Sequence, residues 1–402
     1  MDWNTILYRL KALNTYRELL KEPVMAAAVE LMDCIARADE AGAMAAWGEL
    51  HFQMGKAGVP QLGAWLNEAL LHSDAPWPRA VAEGRTDPFL DACAAFDLET
   101  LSALAALNPL ELRTDASAFL SPKAQEALRR MPAPGPAGGL LYPSAQEWKE
   151  YYKTHGCGLF ARYRAFLWEN GRLLPIEKPD TPAQADLIGY RRQRAQVEDN
   201  TYALLSGKPV NNVLLFGDSG TGKSATVKSL LGLPNTEDLR LIEVEKNSVH
   251  QLPKLIRSLA GHRQKFILFI DDLAFDQDDR TYGVLKTILE GGLEPRPDNV
   301  AIYATSNRRN LVRQTFSDRA GDEVDRDETI QEKTALADRF GLRIPYLGLA
   351  KAEFLELVEH LATQGGSSLP REELLALAVR WDARHPGRSP RSARQFIASL
   401  GI

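Results

Sequence analysis

Residues 213–231 constrain this chain more than any other stretch. A short apolar run, Val213-Leu214-Leu215-Phe216, meets Gly217-Asp218-Ser219-Gly220-Thr221-Gly222-Lys223-Ser224, and Ala225 to Leu231 then reads as a helix. Strand, glycine loop and helix follow one another with the spacing G-x-x-x-x-G-K-[ST] of a phosphate-binding loop. Glycines accept positive backbone angles, so successive N–H groups can turn inward on an anion with no Cβ in the way. The helix that follows aims its unsatisfied N–H groups and the positive end of its dipole at the same anion. Lys223 can reach the β and γ phosphates of a nucleotide, and the Ser224 hydroxyl can ligate Mg²⁺. A plain glycine turn between strand and helix needs neither Lys223 nor Ser224, so the stretch reads as a nucleotide site.

Length and charge set the surroundings of that site. A chain of 402 residues has room for two or three domains. Its net charge of −5 advertises no overall basic surface for nucleic acid, although net charge leaves a local basic groove open. Cys34, Cys93 and Cys157 lie far apart and fit no metal spacing, which suggests small core side chains in a reducing compartment. Asp2, Arg9 and Lys11 interrupt the N-terminal apolar residues, unlike a signal peptide, and no apolar run approaches the ~20 residues of a membrane span. The expectation is a cytoplasmic protein with no membrane partner.

Residues 1–131 read as an all-helical N-terminal domain. Trp3, Ile6, Leu7, Leu10 and Leu13 recur at helical spacing, as do Val29, Leu31, Met32 and Ile35, with Pro60, Pro76 to Pro78 and Pro88 as punctuation. Trp47, Phe52 and Trp65 are expected in its core. The run Pro132-Ala133-Pro134-Gly135-Pro136-Ala137-Gly138-Gly139 cannot continue a helix and opens a linker and packing segment, 132–172. Its aromatic-rich part, from Glu147 to Asn170, is interleaved with Arg162 and Arg164. It reads as a helix and linker packed on the next domain, in preference to a stacking surface for bases.

From 173 to 348 strands and helices alternate, which implies a parallel sheet with flanking helices. Five strands are expected: Val213–Phe216, Leu241–Val244, Phe266–Ile270, Val300–Asn307 and Leu342–Leu347. The run Phe266-Ile267-Leu268-Phe269-Ile270 fits a strand buried on both faces and ends at Asp271-Asp272. A carboxylate at the tip of a strand beside the phosphate-loop strand can hold Mg²⁺, and a second can orient the attacking water. Ligands bind at the carboxyl ends of such strands, where Ser224, Asp271, Asp272 and Asn307 would collect. The acidic stretch Asp318, Asp322, Glu323, Asp325, Asp327 and Glu328 reads as a solvated loop. Residues 349–402 read as a small helical lid, with helices around 351–363, 371–383 and 391–400.

Together these residues resemble an AAA+ ATPase. The glycine loop matches Walker A, Phe266 to Asp272 Walker B, and Asn307 sensor 1. Asp186-Leu187-Ile188-Gly189-Tyr190 resembles the segment that lies against the adenine, and Ala335-Leu336-Ala337-Asp338-Arg339-Phe340-Gly341 the arginine-finger box of bacterial replication initiators and helicase loaders. Ser389-Pro390-Arg391-Ser392-Ala393-Arg394-Gln395-Phe396 resembles sensor 2. Within AAA+, the phrases Asn211-Asn212-Val213-Leu214-Leu215 and Ala393-Arg394-Gln395-Phe396 are most similar to an uncharacterised bacterial group catalogued as domain of unknown function 815.

The resemblance implies roles. Gly217, Ser219, Gly220, Thr221, Gly222 and Lys223 cradle phosphate, Ile188 and Gly189 meet the base, and Ser224 with Asp271 manages Mg²⁺. Asp272 and Asn307 handle the water, Arg339 reaches a neighbouring subunit's site in a homo-oligomer, and Arg394 touches the γ-phosphate, with Arg391 one helical turn away as its substitute. Walker B usually ends in Asp-Glu; Asp271-Asp272 departs from this, and its shorter side chain predicts slower turnover. No Asn-Lys-x-Asp guanine motif occurs, which disfavours a GTPase, and a small-molecule kinase would need neither Arg339 nor the lid. Three functions remain open at this point: remodelling or loading a macromolecular, including nucleoprotein, complex; a protein-remodelling chaperone; and a nucleotide-gated scaffold with little hydrolysis.

Overall fold

A computed structural model describes residues 2–132, 138–274, 280–290, 295–307, 336–385 and 387–402. The chain divides into two compact units, Met1–Arg162 and Tyr163–Ile402. The segment 132–172, read above as linker, is therefore split between them. The acidic stretch from Asp318 to Glu328 lies outside the described residues, as do Ala133 to Ala137 of the proline-rich run.

The first unit is helical among its described residues, from α1 (Trp3–Lys11) through α2 (Pro23–Ala36), α3 (Glu40–Lys56), α4 (Leu62–Leu71), α5 (Pro76–Ala82), α6 (Pro88–Ala105), α7 (Pro109–Ser117), α8 (Pro122–Arg130) and α9 (Ala145–His155) to α10 (Gly158–Arg162). Prolines begin α2, α5, α6, α7 and α8, where a missing N–H costs nothing. Asp2, Asp39, Asp87, Asn108, Ser121 and Ser144 cap their helices by accepting first-turn N–H bonds. Trp47 is buried and Trp65 partly so, but Phe52 is 63% exposed. The buried stripe of α3 runs through Ala43, Trp47, Leu50 and Met54, and Phe52 falls on the opposite face.

α9 corrects the reading of the aromatic segment. Trp148 and Tyr152 are fully buried in the core of the first unit, stacked at 5.8 Å, and Tyr152 meets Trp77 edge-on at 5.7 Å. These aromatics are therefore structural. Trp148→Ala is expected to destabilise the first unit by about 3–5 kcal/mol, measured by denaturant unfolding of the full chain. A change below ~1 kcal/mol would contradict this packing.

The second unit is built on a seven-stranded sheet in the order β2-β1-β4-β5-β6-β3-β7, two strands more than the five expected. The strands are β1 (Ala165–Glu169), β2 (Arg172–Ile176), β3 (Val213–Gly217), β4 (Leu239–Val244), β5 (Lys265–Ile270), β6 (Val300–Ser306) and β7 (Leu342–Tyr346). All pairings are parallel except the β1–β2 hairpin. The hairpin turns on Asn170-Gly171, with φ of +50° and +78°, the two positive angles of a type I′ turn. Phe166 and Trp168 are buried, and β1 joins β4 in parallel through Ala165–Leu241 to Trp168–Val244.

The order also corrects one neighbour. β5, which carries Asp271 and Asp272 beyond its tip, is not beside β3; β6 lies between them, pairing Phe269 with Tyr303 and Leu215 with Thr305. The tip of β6 thus becomes a bridge between the glycine loop and the carboxylates. β5 and β6 are buried on both faces, as continuous apolar runs require. Helices α11 (Arg191–Leu205), α12 (Lys223–Lys228), α13 (Leu252–Leu259) and α14 (Arg280–Glu290) accompany the sheet. α15 (Lys351–Gln364), α16 (Arg371–Arg384) and α17 (Pro390–Ser399) share a separate core built from Leu349, Phe354, Val358, Ala378 and Phe396, against which Ile188 and Tyr190 pack. Among the described residues no helix is long and apolar enough to cross a membrane.

Candidate nucleotide-binding site

A cleft of about 600 Å³ opens at the carboxyl ends of the strands, within the usual range for a small-molecule site. Most of the expected site residues line it: Ile188, Gly189, Ser219, Gly220, Thr221, Gly222, Lys223, Ser224, Asp271, Asp272, Asn307 and Arg394. Two do not. Gly217 sits below the loop at the end of β3, with its carbonyl turned to Lys223. Its φ is +133°, and a Cβ there would lie 2.2 Å from the Tyr346 carbonyl oxygen, so glycine is needed for strand packing. Arg339 is also outside the cleft, with its guanidinium 2.7 Å from Glu290 of the same chain.

Lys223 is the centre of the site. It is only 6% exposed, and its Nζ donates to Gly217 O at 3.0 Å, Asp218 O at 2.7 Å and Asn307 Oδ1 at 2.9 Å. Among the described residues these acceptors are all neutral. Burial pushes the ammonium's pKa down, while Asp218, Asp272 and Asp271 pull it back up. A buried cation at the start of α12, whose acceptors among the described residues carry no charge, suits an arriving anion.

The second feature is a hydroxyl–carboxylate pair. Ser224 Oγ donates to Asp271 Oδ1 at 2.6 Å, and Thr305 Oγ1 donates to the same oxygen at 2.5 Å. Thr305 also accepts from the Asp272 N–H at 2.9 Å. An oxygen-only donor set of this kind suits Mg²⁺, which keeps several waters and takes one or two protein ligands. Asn307 Nδ2 donates to Asp272 Oδ1 at 2.9 Å, so one amide bridges Lys223 and Asp272. Asp272 holds a left-handed backbone, φ +51°, at the tip beyond β5, an uncommon conformation for a residue other than glycine. The residues present therefore fit a nucleotide with its metal.

α17 completes the cleft. The Arg391 N–H donates to Gly220 O at 3.2 Å and its Nη1 to Ser219 Oγ at 3.4 Å. Arg394 Nη2 instead donates to Asp186 O at 3.3 Å. Both arginines line the cleft, Arg391 against the phosphate loop and Arg394 against the segment before Ile188. Tyr190, also in a left-handed conformation at φ +52°, stacks on Tyr346 at 4.8 Å. The sequence reading missed Thr305, Tyr346 and Arg194 as cleft residues. The first two sit on strand ends, which apolar pattern alone marks only as core. Arg194 sits among other charges on α11, where periodicity is silent.

Residues 161–401 match the model of the family described as protein of unknown function (DUF815). The chain belongs to this family. The DUF815 region bears out the AAA+ likeness carried by its glycine loop and strand tips. It is also similar to a 26S proteasome regulatory subunit 4 homolog of Dictyostelium discoideum, 26% identical over 165 residues, 35% of this chain and 38% of that protein. A proteasome-activating nucleotidase of Thermococcus gammatolerans is 26% identical over 163 residues, 34% of this chain and 41% of that one. The chain thus spans about two fifths of the length of these curated relatives. Among solved structures, the Thermotoga maritima RuvB Holliday junction branch migration motor is 15% identical, with a TM-score of 0.39 over 55% of this chain and 64% of that one.

Proposed function

We propose that this DUF815 protein binds Mg·ATP in the cleft and hydrolyses it to remodel or load a macromolecular complex. The observation that carries the reading is the buried Lys223 with neutral acceptors, set next to the Ser224–Asp271 pair. The loop from Ser219 to Lys223 binds phosphate through its N–H groups, and Lys223 neutralises it. Ser224 and Asp271 hold the metal, which supplies charge neutralisation on the phosphates. Asp272 accepts the proton of the attacking water, and Asn307 keeps Asp272 oriented. Arg391 and Arg394 close the cleft from the lid, α15 to α17, where Arg391 is the nearer to the phosphate loop. The active unit is a homo-oligomer to which Arg339 contributes.

Of the client classes left open by the sequence, a protein client has the support of the two proteasome-linked relatives. Turnover stimulated by an unfolded protein and unaffected by DNA is the expected result. Stimulation by DNA alone would instead favour a nucleoprotein client, and tight binding with negligible turnover a scaffold.

Asp272→Asn separates binding from chemistry. The amide keeps the size of the side chain but accepts no proton, so Mg·ATP affinity should persist while hydrolysis falls by roughly 10²–10⁴-fold. Single-turnover hydrolysis at the parental rate would remove Asp272 as the base.

A further inference from the structure

The helical unit contains a groove that none of the roles above uses. Its volume is about 830 Å³, larger than the nucleotide cleft, and its lining residues all belong to the first unit. One side of it is the face of α4 and its C-cap that carries Trp65, Glu68, Ala69 and His72, at positions i, i+3, i+4 and i+7. Glu18 and Leu19 come from the 3₁₀ turn Arg17–Lys21, and Glu22 follows it. Val59 and Ala75 join from the segments before α4 and α5.

Apolar and charged groups are sorted by depth. Leu19 and Ala75 are buried and Val59, Trp65 and Ala69 half-buried, whereas Glu18, Glu22, Glu68 and Asp74 are exposed. The groove therefore has an apolar floor and a carboxylate rim. Two of the carboxylates are already matched, Glu18 by Lys21 at 2.8 Å and Asp74 by Arg79 at 2.5 Å. Among the described residues Glu68 has an ion-pair partner only in His72, at 3.8 Å, and Glu22 has none. A metal ion is not what this rim awaits, since no group of His, Cys, Asp or Glu among the described residues is arranged to hold one. Four carboxylates against His72 and Arg162 also repel an anion. A lysine or arginine side chain suits the groove: its stem lies on apolar surface or an indole face while its charge reaches a rim carboxylate.

We propose that this groove docks a segment of a partner polypeptide in which apolar residues are interleaved with lysine or arginine. The apolar side chains lie on Leu19, Val59 and Trp65, and the cations meet Glu22 and Glu68. The inference gives the protein client proposed above a chemical class, and rests on that reading only in calling the partner a client. It assigns client selection to the helical unit, apart from the residues that handle nucleotide.

The full chain, without nucleotide, is titrated by fluorescence anisotropy with three labelled peptides of equal length. They interleave leucine with arginine, leucine with glutamate, and serine with arginine. The leucine–arginine peptide should bind most tightly. The serine–arginine peptide, which has nothing to bury on the floor, should bind at least about 10-fold more weakly, and the leucine–glutamate peptide weaker still. An exposed ion pair is worth about 1.4- to 5-fold in affinity. Glu22→Gln combined with Glu68→Gln should therefore weaken the leucine–arginine peptide by about 2- to 25-fold, and Glu22→Lys with Glu68→Lys, which adds repulsion, by about 10-fold or more. Added salt should weaken the parent complex more than that of either variant. Glu49→Lys with Glu111→Lys makes the same change in net charge on exposed side chains outside the groove and should bind like the parent. The proposal is overturned if the parent binds none of the peptides, if leucine–glutamate or serine–arginine binds as tightly as leucine–arginine, or if the groove variants bind no more weakly than the Glu49 and Glu111 variant. The client reading is tested separately by stimulated turnover. If unfolded protein stimulates hydrolysis while the peptides fail to bind, the groove is discarded and the protein client stays.

Discussion

Lys223→Ala is expected to weaken ATP binding by more than about 100-fold, because a hydrogen bond to a charged group is worth roughly 1.5–3 kcal/mol and this ammonium serves more than one phosphate oxygen. The ammonium is buried, and the oxygens around it, from Gly217, Asp218 and Asn307, carry no formal charge. Its desolvation is therefore only partly offset within the protein. An arriving polyanion completes the compensation, so the residue should contribute far more to the bound state than to the free one. The ligand-free fold should tolerate the substitution, since the cost of burying the cation disappears with the three bonds it makes. Titration of a fluorescent ATP analogue against the variant, with circular dichroism to confirm the fold, gives the answer. Parental affinity would remove the phosphate loop from the function of this protein.

How much of this could be read from the chain depends on how local each signal is. The glycine loop and the buried strands β3, β5 and β6 are legible because spacing and continuous apolar runs are properties of contiguous residues. The β1–β2 hairpin carried a local signal too, Asn170-Gly171 between apolar residues, but the dense aromatics around it read as helix packing. Trp148 and Tyr152 belong to one unit and Phe166 and Trp168 to the other, a division no period reveals. The strand order is non-local by nature, so the insertion of β6 between β5 and β3 had to come from the structure. With it came Thr305, whose hydroxyl ties the Asp271 carboxylate to the Asp272 backbone N–H from a position that reads as plain strand. The register of α17 is similar: sequence leaves Arg391 and Arg394 one turn apart, and the fold sends each to a different wall of the cleft.

Arg339→Ala is expected to leave ATP affinity intact and to slow hydrolysis by roughly 10³–10⁵-fold, the value of an arginine supplied to a transferring phosphoryl group in other P-loop enzymes. Within its own chain Arg339 does not line the cleft and pairs with Glu290. Asp338, its sequence neighbour, pairs with Arg343 instead, so Arg339 is held by a partner from another element, α14. An exposed pair of this kind is worth about 0–1 kcal/mol, too little to prevent Arg339 from leaving it for a charged site on a second subunit. If surface pairing were its whole purpose, the alanine variant would hydrolyse ATP normally. The decisive measurement mixes two inactive proteins. Arg339→Ala retains Asp272 and an otherwise complete cleft, whereas Asp272→Asn retains the arginine. In a mixed assembly the second places its Arg339 at the intact cleft of the first, and activity should return in proportion to such junctions. Light scattering or native mass spectrometry must show that mixed assemblies form. If they form and remain inactive, Arg339 acts within its own chain or not at all, and the oligomeric active site has to be abandoned.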